Sequence, residues 1–75
     1  MEVFVCIIED RHCDVCAEVF DTRDAAVAFA KEFCEDRAHD PEDLEEFEIY
    51  GWEYCCHYSC ESDKVHVVKT ELRKN

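Results

Sequence analysis

The stretch Val3-Phe4-Val5-Cys6-Ile7-Ile8 is apolar throughout and rich in β-branched side chains. A strand with one face in water alternates apolar and polar residues, whereas a strand that is apolar on both faces is covered on both sides. The stretch therefore predicts the central strand of a β-sheet. Because the sequence contains one long amphipathic helix, which can cover one face, we expect a second protein molecule to cover the other.

The length of the chain, 75 residues, predicts a single small domain spanning residues 1–75. A core of this size typically supplies only about 3–5 kcal/mol without staples or association. The first residues lack the pattern of a secretory signal, and no apolar run approaches the roughly 20 residues of a membrane span. We therefore expect a soluble, cytoplasmic protein that does not bind membranes.

The charge of the chain is strongly negative, with 20 acidic against 8 basic residues and a net charge of −12. Repulsion on this scale opposes binding to nucleic acid and to anionic membranes, and it favours basic partners. The alternative is that the charge serves only solubility or adaptation to a halophilic host.

The chain contains 7 cysteines but only 1 glycine and 1 proline. Small disulfide scaffolds are loop-rich and carry an even number of cysteines, so this composition opposes that class. We expect most of the thiols to remain reduced and to pack as small apolar side chains.

The secondary structure is predicted from hydrophobic periodicity. Residues 2–10 and 13–20 predict two strands of an antiparallel hairpin. Asp21 is the expected N-cap of an amphipathic helix that ends near Ala38. Asp40 and the following Pro41 predict a short second helical turn.

The second half of the chain predicts two further strands, over residues 47–60 and 65–72, with a bulge or close approach at Gly51. The expected fold is α+β, with the order ββαββ. It has a four-stranded, mostly antiparallel sheet in the order 2-1-3-4, in which the helix joins two parallel strands by a right-handed crossover and covers one face.

Cys13 and Cys16 form a C-x-x-C pair, which is a zinc half-site. The remaining candidate ligands are Cys55, Cys56, His57 and Cys60. In the predicted topology Cys13 and Cys60 lie at opposite ends of the sheet, separated by about 26 Å of strand. We therefore predict no metal and no cofactor, and keep as an alternative a small zinc- or thiol-dependent regulatory protein built on Cys13 and Cys16.

No arrangement of residues in the sequence predicts catalysis. Cys56 and His57 are neighbours in a predicted strand, so their side chains face opposite ways and cannot form a nucleophile–base pair. One glycine cannot build a phosphate-binding loop. We predict that the protein is not an enzyme.

An aromatic stripe occupies alternate positions in the third predicted strand, at Tyr50, Trp52, Tyr54 and Tyr58. It is explained either by core packing against the helix or by an association surface, where Trp and Tyr are favoured. A bulge at Gly51 could divide it between the two. We predict a homodimer through the sheet face away from the helix, with Trp52, Tyr54 and Tyr58 in the interface.

The densest charge cluster lies between residues 35 and 48, where eight carboxylates fall within fourteen residues. It is either a solvated loop or a surface for the Lys and Arg side chains of a partner, plausibly a nucleic-acid-binding protein. The eight residues are Glu35, Asp36, Asp40, Glu42, Asp43, Glu45, Glu46 and Glu48.

In size, charge and this acidic cluster, the chain resembles the small, strongly acidic phage proteins that block host defence by occupying nucleic-acid sites. These include anti-CRISPR and anti-restriction inhibitors. The resemblance implies a non-enzymatic inhibitor whose carboxylates occupy a basic site on a partner, acting in the cytoplasm of the host cell. It rests on composition, and transfers neither a fold nor individual residues.

Overall fold

A computed structural model describes residues 1–10, 15–38, 40–59 and 63–73. The described residues form an α+β fold, which confirms the predicted class. One α-helix, α1, spans Arg23–Arg37, and a 3₁₀ turn spans Pro41–Asp43. The strands are β1 (Glu2–Glu9), β2 (Cys16–Phe20), β3 (Glu45–Phe47), β4 (Tyr54–His57) and β5 (Lys64–Glu71).

The five strands form one sheet in the order β2-β1-β5-β4-β3, and all neighbouring strands are antiparallel. The predicted order, 2-1-3-4, is wrong because the last strand and not the third lies beside β1. Val5 pairs with Val68 and Cys6 pairs with Val67, so the two most apolar strands lie together. The Val3–Ile8 stretch is interior, as predicted, but β5 holds the central position.

The predicted strand over residues 47–60 is divided by a turn, which accounts for the fifth strand. Gly51 has φ +91°, a left-handed conformation that other residues rarely adopt. The N–H of Trp52 donates to the carbonyl of Ile49 at 3.0 Å and closes a β-turn around this glycine. The chain therefore reverses, and β3 and β4 form a hairpin with Phe47 opposite Cys55.

Helix α1 begins one residue later than predicted. Its N-cap is Thr22, whose hydroxyl accepts from the N–H of Ala25 at 3.2 Å, so the assignment of Asp21 as N-cap is corrected. The helix ends at Arg37 with Ala38 as C-cap. The second helical turn is confirmed, because Asp40 accepts from the N–H of Glu42 at 3.2 Å.

The core lies between α1 and one face of the sheet. Small helix residues, Ala26, Ala30 and Cys34, are buried there and let the helix approach the strands closely. Phe4 packs on this core, on the same face of β1 as the buried Cys6 and Ile8. The sheet contributes the buried residues Cys6, Ile8, Cys56, Tyr58, Val65 and Val67.

Candidate functional site

The eight predicted acidic residues, which we call the acidic edge, lie in the last turn of α1, in the 3₁₀ turn and in or just after the outermost strand β3, and two of them, Glu35 and Glu46, line one cavity. Glu35 and Asp36 are in the last turn of α1, and Asp40 caps the 3₁₀ turn that carries Glu42 and Asp43. The other three carboxylates belong to β3 or follow it directly, and β3 is the outermost strand. All eight residues are exposed except Asp43, which is half-buried. The eight are Glu35, Asp36, Asp40, Glu42, Asp43, Glu45, Glu46 and Glu48.

The carboxylates of the acidic edge are not neutralised within the described part of the chain. Between described residues, no lysine or arginine forms an ion pair with any of the eight; the ion pairs lie elsewhere, as in Lys64–Glu9 at 2.7 Å. The two basic residues in the second half of α1 lie over aromatic rings. Lys31 is 5.7 Å from the ring centre of Tyr54, and Arg37 is 5.0 Å from that of Phe33. The acidic edge therefore presents its negative charge to solvent.

A groove of about 810 Å³ adjoins the acidic edge and is lined by Arg23 and residues 46–54. Carboxylates and apolar side chains alternate along its β3 side, where Glu46 and Glu48 flank the exposed Phe47. Tyr50 is fully exposed at the tip of the turn. An arginine side chain suits such a surface, because its guanidinium pairs with carboxylates and stacks on aromatic rings.

The aromatic stripe does not lie on one face of the sheet. Tyr54 and Tyr58 face α1, where Tyr58 is buried and its hydroxyl donates to Asp10 at 2.6 Å. Trp52 lies on the opposite face, and Tyr50 projects into solvent. The turn at Gly51 causes this division. The prediction that Tyr54 and Tyr58 lie on the face away from the helix is therefore wrong. The homodimer through Trp52 remains a prediction.

The sheet face away from α1, which we call the open face, is half covered by the chain itself. Trp52 stacks on His66 with ring centres 4.0 Å apart and an interplanar angle of 12°. His66 is only 5% exposed, and its cross-strand neighbour Cys55 is fully buried. Arg23 holds the chain next to Trp52 by donating to the carbonyl of Glu53 at 3.1 Å.

The other half of the open face, on β1 and β2, is not covered by the described part of the chain. There Val15, Ala17 and Val19 are exposed, and Val5 and Ile7 are half-buried. Val15 is 68% exposed and Val19 is 63% exposed, whereas Val3 of the same face is only 7% exposed. Val15, Ala17 and Val19 occupy alternate positions and share this face, which is turned away from the helix.

The described cysteines do not form a metal site. Cys16 and Cys56 lie in one row across the sheet, joined through Ile8 and Val65, so three strand spacings of about 14 Å separate them. The predicted separation of Cys13 from Cys60 concerns two residues outside the described part of the chain, so it stays a prediction. Among the described residues, no group of three or more His, Cys, Asp or Glu could hold a metal ion. Cys13, half of the C-x-x-C pair, and Cys60 lie outside the described residues.

The core thiols are unsuited to nucleophilic chemistry. Burial, and secondarily the nearby Glu18 carboxylate, raises the pKa of Cys6 to about 11. Burial, with the neighbouring Cys56 thiol, also raises the pKa of Cys34. Both thiols are therefore protonated near neutral pH, whereas the thiolate is the reactive form. Cys6, Cys34, Cys55 and Cys56 are free thiols inside the fold.

The buried His66 should make stability depend on pH. Burial lowers the pKa of His66 from 6.5, Glu9 opposes this shift, and Lys64 reinforces it. The unfolded chain therefore binds a proton more readily than the folded chain as the pH falls, and Nδ1 of His66 has no hydrogen-bond partner among described residues. We expect the free energy of unfolding to fall between about pH 7 and about pH 5.

Urea unfolding monitored by circular dichroism across this pH range tests the expectation. His66→Phe should flatten the pH dependence, because it retains a ring against Trp52 and removes the titrating group. The Glu9 carboxyl, whose pKa is lowered by Lys64 from 4.5, contributes only at more acidic pH. If the free energy of unfolding falls by the same amount over this pH range in His66→Phe and in the wild type, the pH dependence does not arise from His66.

Comparison of the chain with protein-family models, with curated proteins and with solved structures gave no match. In the part of the chain that the structure describes, no helix has both the length and the apolar character needed to cross a membrane.

Proposed function

We propose that the protein is a non-enzymatic binding protein whose acidic edge occupies a basic site on a partner protein, a site that otherwise binds nucleic acid. The observation that supports this most is the grouping of eight carboxylates along one edge of the fold, without an ion pair to any described lysine or arginine. Such grouping costs stability through self-repulsion. A basic partner would remove this cost on binding.

The spacing of the charges suits a site made for a phosphate backbone. Glu45, Glu46 and Glu48 place three carboxylates along roughly 10 Å of extended chain, given about 3.3 Å per residue. One strand of DNA carries one charge per about 3.4 Å along its axis. The two charge densities are of the same order, so lysines and arginines arranged for a nucleic acid would meet carboxylates at comparable intervals.

The groove beside β3 supplies contacts that a solvated loop would not require. Phe47 and Tyr50 are exposed between and beside carboxylates, and aromatic residues are enriched in the centres of protein interfaces. We expect an arginine of the partner to enter this groove, pairing with Glu46 or Glu48 and stacking on an aromatic ring. A partner held in this way could not bind nucleic acid at the same site, as in inhibition by small acidic phage proteins.

The proposal predicts that binding depends on where the charge lies and not only on how much there is. In the edge variant, Glu42, Asp43, Glu45 and Glu46 are replaced by the corresponding amides. In a matched control variant, Glu2, Glu18, Asp21 and Asp24 are replaced instead; these are exposed acids outside the acidic edge. Both changes remove four negative charges from the net charge of −12.

Capture from a cell lysate on immobilised protein tests the prediction. We expect the wild type and the control variant to retain the same basic protein, and the edge variant to retain at least about tenfold less, as when charged interface residues are lost. Added DNA should displace the captured protein. Equal retention by the two variants, or a captured protein that DNA does not displace, would contradict the proposal.

Elemental analysis of the purified protein addresses the cysteine-based alternative. Stoichiometric zinc would favour a metal-dependent regulator and would count against charge mimicry as the main function.

A further inference from the structure

The uncovered half of the open face forms an apolar patch, which we call the valine patch. It consists of the exposed Val15, Ala17 and Val19 and the half-buried Val5 and Ile7. Cross-strand pairing places Val5 beside Val19 and Ile7 beside Ala17, so the side chains are contiguous across the two strands. The side chains of Val15 and Val19 are 68% and 63% exposed. Apolar side chains that are exposed in one contiguous surface are typical of an interaction site, whereas single apolar residues scattered over a surface are not.

The valine patch carries no unpaired charge from its own strands. On the open face of β1, β2 and β5, the charged side chains are Glu9 and Lys64, which form an ion pair at 2.7 Å. Glu18 of β2 points to the opposite face, because it pairs with the buried Cys6. A basic partner of the acidic edge would therefore find nothing complementary here, so the valine patch requires an apolar occupant.

The distribution of charge favours a second copy of this chain as that occupant. The acidic edge lies beyond β3, three strand spacings or about 14 Å from β1. In a two-fold arrangement of patch against patch, the two acidic edges point away from each other and lie about 30 Å apart. That separation exceeds the screening length of about 8 Å at physiological ionic strength, so the net charge of −12 opposes association only weakly.

A two-fold axis that is parallel to the strands and lies between the two open faces packs one valine patch on the other and turns the two acidic edges to opposite sides. We propose that the protein is a homodimer in which the valine patches of two copies pack face to face. This goes beyond the function proposed for the acidic edge and does not depend on it.

Sedimentation equilibrium of the full chain tests the dimer. We expect a particle of twice 8.9 kDa at about 100 μM, a concentration at which most stable dimers are associated. Val19→Lys should raise the dissociation constant by on the order of 30-fold, as for a residue central to an interface. Glu18→Lys is the matched control, since it places the same side chain one residue away on the opposite face and should leave the dimer intact.

Circular dichroism establishes that each variant is folded, and Val19→Ser replaces Val19→Lys if the lysine variant unfolds. A monomeric wild type at this concentration would overturn the proposal. A dimer that survives Val19→Lys and Val19→Ser would also overturn it, because the contact would then lie elsewhere. Equal weakening by the Val19 and Glu18 variants would do the same, since it would indicate association through the edge of β2 and not through its open face.

Discussion

Val67→Asp is expected to leave the chain unfolded. Val67 is fully buried in the core between the sheet and α1, with Cys6 and Tyr54 as its cross-strand neighbours. A carboxylate without a partner in such a position costs several kcal/mol. A core of this size supplies only about 3–5 kcal/mol, so the substitution should remove most or all of the stability.

The matched control for Val67→Asp is Thr70→Asp in the same strand, where the side chain is exposed. Its effect on the free energy of unfolding should stay within about 0.5 kcal/mol. Circular dichroism with urea titration measures both variants. A cooperative transition of Val67→Asp near the wild-type midpoint would contradict the assignment of Val67 to the core.

Trp52→Ala is expected to lower the free energy of unfolding by about 2–4 kcal/mol, somewhat less than the loss of a fully buried aromatic side chain, because Trp52 is half-buried. Trp52 covers His66 and stacks on its ring at 4.0 Å, and Cys55 is buried beside His66. Its removal exposes both residues to water and leaves the exposed part of the open face larger. The effect therefore arises within one chain, whether or not the chain is paired.

Tyr50→Ala is the control for Trp52→Ala, because the two aromatic residues lie in the same turn and Tyr50 is fully exposed. Its effect should stay within about 0.5 kcal/mol. Urea unfolding monitored by circular dichroism suits both variants, since Trp52 is the single tryptophan and its loss removes the intrinsic fluorescence probe. Similar costs for the two substitutions would contradict the described orientation of this turn.

The elements with long, regular patterns could be predicted from the sequence. The continuous apolar run of β1 indicated an interior strand, and the helical periodicity after Asp21 located α1 to within two residues at its start. The Asp40–Pro41 pair identified the short turn, because an N-cap followed by proline has few other structural uses. Each of these signals is local, so the chain segment itself carries the information.

The order of the strands could not be predicted in the same way. Pairing of β1 with β5 joins segments about sixty residues apart. Residues 65–68 are nearly as apolar as β1, which fits an interior strand, but this pattern does not specify which strand lies beside β1. The expected crossover beside β1 was wrong because the chain after α1 passes to the far edge of the sheet and returns through the β3–β4 hairpin.

The faces of the aromatic residues depended on one backbone angle. An unbroken strand would have aligned Tyr50, Trp52 and Tyr54, whereas the positive φ of Gly51 reverses the chain between them. The sequence permitted this turn but did not require it. His66 was not identified as a buried residue, although its position between Val65 and Val67 in a strand indicated that it faces away from the helix.

The eight residues of the acidic edge could be named from the sequence, because Asp and Glu side chains are almost never fully buried. The structure adds that the eight residues share one edge and adjoin a groove with exposed aromatic side chains.

The most direct test of the proposed function is the affinity for the captured basic partner, measured by calorimetry or fluorescence anisotropy as a function of salt. From about 0.01 M to about 1 M salt the screening length falls from about 30 Å to about 3 Å, which removes attraction between exposed charges. For the wild type, we predict that the dissociation constant rises at least about tenfold over this range, with a clearly smaller rise for the edge variant. An affinity that is independent of salt and equal in both proteins would contradict the proposal that the acidic edge binds a basic site.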